Sequence, residues 1–274
     1  MLRKLAAKFF QTPRQDQVVE FGLPSNDWDQ VKKAAGSYSH EAILRRVATS
    51  TRAVVEGRAK AERDGVLFPV KQIPLSLLAG LRLCSLQKSR LHVLDFGGAL
   101  GSTYRQCVGE LSPHSIGKWV VVEQPHFVEL GRREFEDGVL AFSYSLSNAL
   151  KDYQIDVVIF SGVLEYVDDS LDLLKLVKYA DVKAVFLDRT PAHNGLDDVF
   201  TIQKISKEIY GVPVSYPVRI YAFRKLVTDL ERLFGRIYIL NASFDPEMRM
   251  GDVKVNFHFF SNIQIASTLN SIAE

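Results

Sequence analysis

Between His92 and Gln106 the chain reads HVLDFGGALGSTYRQ: an apolar run, an acid, a glycine-rich turn and a helix-like continuation. Asp95, Gly97, Ala99 and Gly101 fall at alternate positions. A strand that empties into such a turn lets the backbone approach a ligand closely, and the following helix presents its positive end at the same place. The next apolar run, Trp119 to Val122, ends in Glu123, 22 positions beyond Gly101. A carboxylate there can accept hydrogen bonds from both hydroxyls of a ribose. Together these residue types point to binding of a nucleotide-like cofactor. The same residues also have plain structural readings: a tight strand-to-helix turn at the glycines, and an exposed acid capping a helix at Glu123.

A third segment, IDVVIFSGVLEYVDD from Ile155 to Asp169, follows in order. The three together resemble the class I S-adenosylmethionine-dependent methyltransferases, in which an acid is followed by G-x-G-x-G at the end of the first strand; here Ala99 stands where the middle glycine would be. The resemblance implies that Asp95, Gly97, Gly98, Ala99 and Gly101 form the cofactor loop and that Glu123 takes the ribose. It also implies that Ser161, Gly162 and Leu164 line the methionine and adenine side, with Glu165 near the substrate cleft. Read together with GSYSHE (Gly36 to Glu41), ERDGVLF (Glu62 to Phe68) and LDRTP (Leu187 to Pro191), the chain is similar, over residues 36 to 260, to a bacterial family of methyltransferases associated with surface-polysaccharide biosynthesis. The implied activity is methyl transfer from S-adenosylmethionine to a small-molecule or glycan acceptor, expected to be a sugar hydroxyl.

Such a transfer needs an acceptor held in line and, for a hydroxyl, a base for its proton. Ligands of open α/β sheets bind at the carboxyl ends of the strands. There the fifth strand empties into Asp188, Arg189, Thr190, Pro191, Ala192 and His193. His193 and Glu165 are the expected catalytic groups, and Arg189 is suited to grip a phosphate or carboxylate. Tyr216, Arg219 and Tyr221, in SYPVRIY, are candidates for a substrate wall. A solvated histidine, a surface glutamate and an arginine that pins its own loop are the corresponding structural readings. The histidines show no metal-ligand spacing, so no metal is expected.

Two other functions use similar parts. An NAD(P)-dependent oxidoreductase shares the sheet and the acid on the second strand, but its G-x-G-x-x-G fingerprint is not met, since Phe96 occupies the first glycine position when Gly98 and Gly101 take the others. A non-catalytic protein that binds the cofactor, or has lost it, would serve as an interaction module in polysaccharide assembly.

The elements that must position these residues follow from periodicity. After Arg90, short apolar runs alternate with helical stretches, the pattern of a parallel sheet with crossover helices. Strands are expected at His92–Phe96, Trp119–Glu123, Val139–Phe142, Ile155–Ser161 and Ala184–Asp188, with covering helices at Ser170–Tyr179 and Phe223–Phe234. Arg236–Asn241 and Val253–Phe260 read as two closing antiparallel strands. The expected fold is α/β, a Rossmann-like, doubly wound and mostly parallel sheet with a C-terminal antiparallel hairpin. Residues 1–88 form an expected N-terminal helical extension packed on the main domain of residues 89–274. A helix is expected from Ser39 to about Arg63 and another opening at Pro74, while Thr12–Asn26 reads as a loop.

A net charge of +2 and the absence of a basic stripe argue against nucleic acid as a partner. Two cysteines without CxxC spacing, no apolar run of about 18 residues and no signal-peptide core lead us to expect a cytoplasmic protein with no membrane span. Leu2–Phe10 has an apolar face and Arg3, Lys4 and Lys8 elsewhere, which suits either a weak peripheral membrane contact or packing on its own domain.

Overall fold

The computed structural model describes residues 19–180, 182–242, 244 and 247–262. The Leu2–Phe10 stretch and residues 12–18 of the expected loop lie outside them. The chain divides into two compact units: residues up to Gln72 with Val199–Arg219, and Ile73–Asp198 with the chain from Ile220 onward. This division differs from a single boundary at residue 88.

The first unit opens with strand β1 (Val19–Phe21), helix α1 (Trp28–Ala34) and helix α2 (Glu41–Val55). His40, not Ser39, caps α2, its Nδ1 accepting from the Ala42 N–H at 3.1 Å. Helix α2 buries Ile43, Val47, Ser50 and Thr51 along one side. It ends eight residues before the expected Arg63, because the chain turns at Gly57 (φ +75°) into a hairpin of β2 (Ala61–Arg63) and β3 (Val66–Phe68). The two residues between the strands, Asp64 and Gly65, both have positive φ (51° and 80°), as a two-residue turn matching the strand twist requires. The Asp-Gly pair in ERDGVLF is that turn, and Ser50 Oγ donates to the Gly65 carbonyl at 2.7 Å.

The second unit begins with α3 (Leu75–Gln87) and proceeds through β4 (Leu91–Phe96), α4 (Ser102–Val108), β5 (Ile116–Val122), α5 (Pro125–Glu134), β6 (Leu140–Ser143), α6 (Leu146–Asp152), β7 (Val157–Ser161), α7 (Ser170–Tyr179) and β8 (Ala184–His193). The chain returns to the first unit for β9 (Val199–Ile205), the short α8 (Lys207–Tyr210) and most of β10 (Val214–Ala222). It ends in the second with α9 (Phe223–Phe234), β11 (Tyr238–Asn241), β12 (Met248–Met250) and β13 (Val253–Ser261). In the first unit β9 pairs antiparallel with β1. Trp28 lies 5.3 Å from Phe200 between ring centroids, and the Arg219 guanidinium stacks 5.4 Å from the Trp28 ring and 5.6 Å from that of Phe200. Arg219 and the buried Tyr216 are therefore packing residues of this unit.

In the second unit the parallel strands run in the order β6–β5–β4–β7–β8, with β13 antiparallel to β8 and β11 antiparallel to β13. Strand order reverses at β4, which has β5 on one side and β7 on the other. The expected closing strands are antiparallel partners, with β12 added between them. Side-chain alternation splits the core into two layers. On one face Leu94, Val120, Val158, Val185 and Leu187 pack with Leu146 and Ala149 of α6, Leu174 and Val177 of α7, and Leu226 and Leu230 of α9. Phe186 points the other way, toward Gly80 of α3, where an added Cβ would lie 2.8 Å from the ring. This is the Rossmann-like, doubly wound arrangement expected from the sequence.

Among the described residues no helix is long and apolar enough to cross a membrane.

Candidate functional site

Register decides which residues leave the sheet together. Phe96 pairs with Val122 on one side and Phe160 on the other, and Ser161 pairs with Asp188. Gly97, Glu123 and Gly162 are therefore the next residues out at the carboxyl ends of three adjacent strands, at the point where strand order reverses, and Arg189 of β8 stands level with Gly162.

The turn after β4 is held from below. Gly97 N donates to the Val122 carbonyl at 2.8 Å and Gly101 N to that of Gly98 at 2.9 Å. Gly97, Ala99 and Gly101 all have left-handed backbone, with φ of 72°, 51° and 87°. A side chain at Gly97 would also run into Val163, and a Cβ on Gly98 would stand 2.5 Å from Asp95 Oδ2. Arg105 Nη1 donates to the carbonyls of Leu100 (2.6 Å) and Gly101 (2.9 Å), fastening the far side of the turn to α4.

Asp95 is fully buried beneath this turn. Its Oδ2 accepts from the indole Nε1 of Trp119 at 3.1 Å, while Oδ1 is buried without a hydrogen-bond partner among the described residues. Burial pushes its carboxyl up to about 7; the hydrogen bond from Trp119 opposes this, and the charges of Glu123 and Asp188 add to it.

Glu123 keeps partial access to solvent and accepts two backbone hydrogen bonds, from Ala99 N at 3.3 Å and Gln124 N at 2.8 Å. Burial pushes this carboxyl to about 7 as well, against those two bonds. The acid at the end of β5 and the glycine turn at the end of β4 are thus in direct contact, which the strand register brings about.

At the end of β7, Ser161 Oγ donates to the buried Asp188 Oδ2 at 2.8 Å, and Gly162 N to the Asp188 carbonyl at 2.9 Å. Leu164 and Glu165 follow in a single 3₁₀ turn, both buried. Tyr221, expected on a substrate wall, is buried instead, and its hydroxyl donates to the Leu164 carbonyl at 2.9 Å. It supports the turn that carries Glu165.

Strand β8 continues past Asp188, where the sequence suggested it would end. Opposite His258–Phe260 of β13 it spans Leu187–Thr190, one residue more, so β8 is bulged there. Arg189 in the bulge has φ +57°, and its guanidinium lies against Gly162, 3.2 Å from where a Cβ would stand. His193 closes the strand. Its Nδ1 accepts from Gly195 N at 3.1 Å, so Nε2 is the donor to the Asp197 carbonyl at 2.9 Å. Both ring nitrogens are engaged by the following loop, and accepting an acceptor's proton requires one of these bonds to open.

Two participants carry no signal of their own in the sequence, Trp119, which holds Asp95, and Arg105; Asp188, which holds Ser161, was legible as the end of the fifth strand. Trp119 was legible only as an apolar strand residue. Among the described residues no group of three or more His, Cys, Asp or Glu side chains is arranged to hold a metal ion.

No protein-family model and no curated protein matches the chain. Solved structures do resemble it. The N-terminal domain of EvdMO1, solved with SAH bound, is 16% identical, with 78% of this chain and 97% of that chain covered and a TM-score of 0.48. CalS10, an amino pentose methyltransferase from Micromonospora echinaspora solved with SAM bound, is 10% identical over 77% of this chain and 95% of its own, with a TM-score of 0.39. A Burkholderia thailandensis 1,6-didemethyltoxoflavin-N1-methyltransferase, solved with S-adenosylhomocysteine, is 10% identical over 81% and 87%, with a TM-score of 0.38. These are likenesses of backbone course; the fold itself is established by the strand order and the reversal at β4.

Proposed function

We propose that this protein is an S-adenosylmethionine-dependent methyltransferase whose acceptor is a sugar hydroxyl of a small molecule or surface-glycan precursor. The observation that carries the reading is the contact between Glu123 Oε1 and Ala99 N: a carboxylate at the end of β5 set against a left-handed, glycine-rich turn at the end of β4. The donor set suits the cofactor. Glu123 offers acceptor oxygens at the rim for the ribose hydroxyls, and the glycine turn leaves room for close backbone approach, with Asp95 sealed beneath it as a support. Ser161, Gly162 and Leu164 would border the methionine and adenine portions.

When bound, S-adenosylmethionine supplies an electrophilic methyl group on a sulfonium. The chain's own work is to orient and to handle a proton. Asp95 and Arg105 hold the turn in shape, Tyr221 and Val163 support the segment opposite it, and Arg189 faces the acceptor side from the bulge, suited to a phosphate or carboxylate on the acceptor. Glu165, on the turn that Tyr221 braces, is the group we assign to take the hydroxyl proton; His193 can do so only with its loop bonds broken. Within residues 89–274, the part that belongs to the second unit, residues 89–198 with the chain from Ile220 onward, is what we assign to this chemistry, with the N-terminal region as an extension to it.

Calorimetry with S-adenosylhomocysteine and NADH tests the cofactor: binding of the former alone is expected, and binding of NADH alone overturns the reading. Labelled methyl transfer to a panel of nucleotide-sugars and glycan fragments tests the acceptor. Cofactor binding without transfer to any acceptor would favour a non-catalytic interaction module.

A further inference from the structure

In the first unit, helices α2 and α8 border an open groove of about 350 Å³ lined by Ala42, Arg45, Arg46, Thr49, Lys207, Glu208, Ile209, Tyr210 and Gly211. Arg45, Arg46 and Thr49 share its α2 side because they are three and four residues apart on the helix. Three cations and one carboxylate thus converge on a concave surface.

Their existing partners leave two of the cations available. Arg45 is paired with Glu41 at 2.9 Å in an exposed i,i+4 bridge, and Glu208 is held by the hydroxyl of Ser206. Among the described residues Lys207 has no ion pair. Arg46 is more telling. Its stem is wedged against Gly65, with Cγ 2.7 Å from where a Cβ would stand, and its Nε is buried with no acceptor among the described residues. A guanidinium fixed in place and short of an acceptor is a costly arrangement unless something with oxygen acceptors completes it. A planar fork beside an ammonium matches a tetrahedral oxyanion. Ala42 and Ile209 add an apolar wall, and the volume falls at the lower end of small-molecule sites, about 300 to 1,000 Å³.

We propose that this groove binds a phosphorylated small molecule, its phosphate on Arg46 and Lys207 and its carbon skeleton against Ala42 and Ile209. The site stands apart from the cofactor assignment, since every residue that forms it belongs to the first unit.

The test is a titration of the full chain with glucose 1-phosphate, inorganic phosphate and glucose, followed by backbone amide NMR. Glucose 1-phosphate should bind, shifting amides of residues 42–49 and 207–211; phosphate should bind more weakly there, and glucose not at all. Lys207→Ala, at an exposed position, and Arg46→Ala should each weaken binding by about tenfold, and Arg46→Lys should recover only part of it. Added salt should weaken binding in the wild type. Equal response to glucose and glucose 1-phosphate, shifts confined to residues 97–101, or wild-type affinity in Lys207→Ala would each overturn the proposal, and Lys207→Ala decides it should Arg46→Ala not fold.

Discussion

The indole Nε1 of Trp119 donates to Asp95 Oδ2 across two neighbouring parallel strands, at 3.1 Å and with both side chains sealed from solvent. Trp119 lies opposite Val93 and Asp95 opposite Val121, two positions further along, so the bond runs diagonally between β4 and β5. It holds the acid under the glycine turn and leaves no room there: Gly98 passes directly over the carboxylate.

Trp119→Phe keeps most of the buried ring and removes the donor. A buried carboxylate oxygen then loses its partner, which is expected to cost about 1–3 kcal/mol in urea unfolding. Affinity for S-adenosylhomocysteine should fall with it. Unchanged stability would show that the bond does not hold the turn.

The turn itself can be tested at two adjacent positions. Ala99 is held at φ +51°, where a Cβ is unfavourable by roughly 1–2 kcal/mol. Ala99→Gly should therefore keep cofactor binding and match or exceed wild-type stability, the gain offset in part by greater freedom of the unfolded chain. Gly98→Ala should do the opposite, losing about 1–3 kcal/mol, because its Cβ meets an Asp95 carboxylate that Trp119 keeps from moving away. Calorimetric unfolding of both variants checks the pair.

The pH dependence has a definite sign. Asp95 and Glu123 are both pushed up to about 7 by burial, so the folded protein retains protons that the unfolded chain has released from about pH 4 upward. Their contribution to stability is greatest at the acid end and declines as pH rises to about 7. Cofactor binding should run the other way, since ionised Glu123 is the better acceptor for ribose hydroxyls: affinity for S-adenosylhomocysteine should rise about tenfold between about pH 6 and about pH 8. Glu123→Gln should flatten that rise, and an equally steep rise in the variant would remove Glu123 from the ribose site.

Glu165 and His193 are separated by comparing variants with bound cofactor. Glu165→Gln should lower the rate of methyl transfer by about 10²–10⁴-fold with little change in S-adenosylhomocysteine affinity, the range for a lost general base. His193→Gln should mainly loosen the loop it ties to Asp197 and Gly195, lowering stability by about 1 kcal/mol. A large rate loss in His193→Gln together with wild-type stability would reverse the assignment.

The sequence by itself determined the strand–glycine turn–helix unit around Asp95–Gly101, the acid at Glu123, the alternating core of β13 and the stripes of α7 and α9, because each depends on neighbours close along the chain. It also contained the Asp64–Gly65 hairpin, hidden behind the helical pattern of Ser39–Arg63 until Gly57 is seen to turn the chain. Only the tertiary structure decided the rest. The pairing of β1 with β9 brings Val19 beside Ile205, and the bulge that lifts Arg189 against Gly162 exists because β13 lies alongside β8. The bonds from Trp119 to Asp95, Ser161 to Asp188 and Tyr221 to Leu164 join residues 24, 27 and 57 positions apart. Such contacts depend on strand order and register, which periodicity along one strand does not encode. That is why the glycine turn was readable in the chain, while the surroundings of His193, Tyr221 and Arg189 became visible only in the fold.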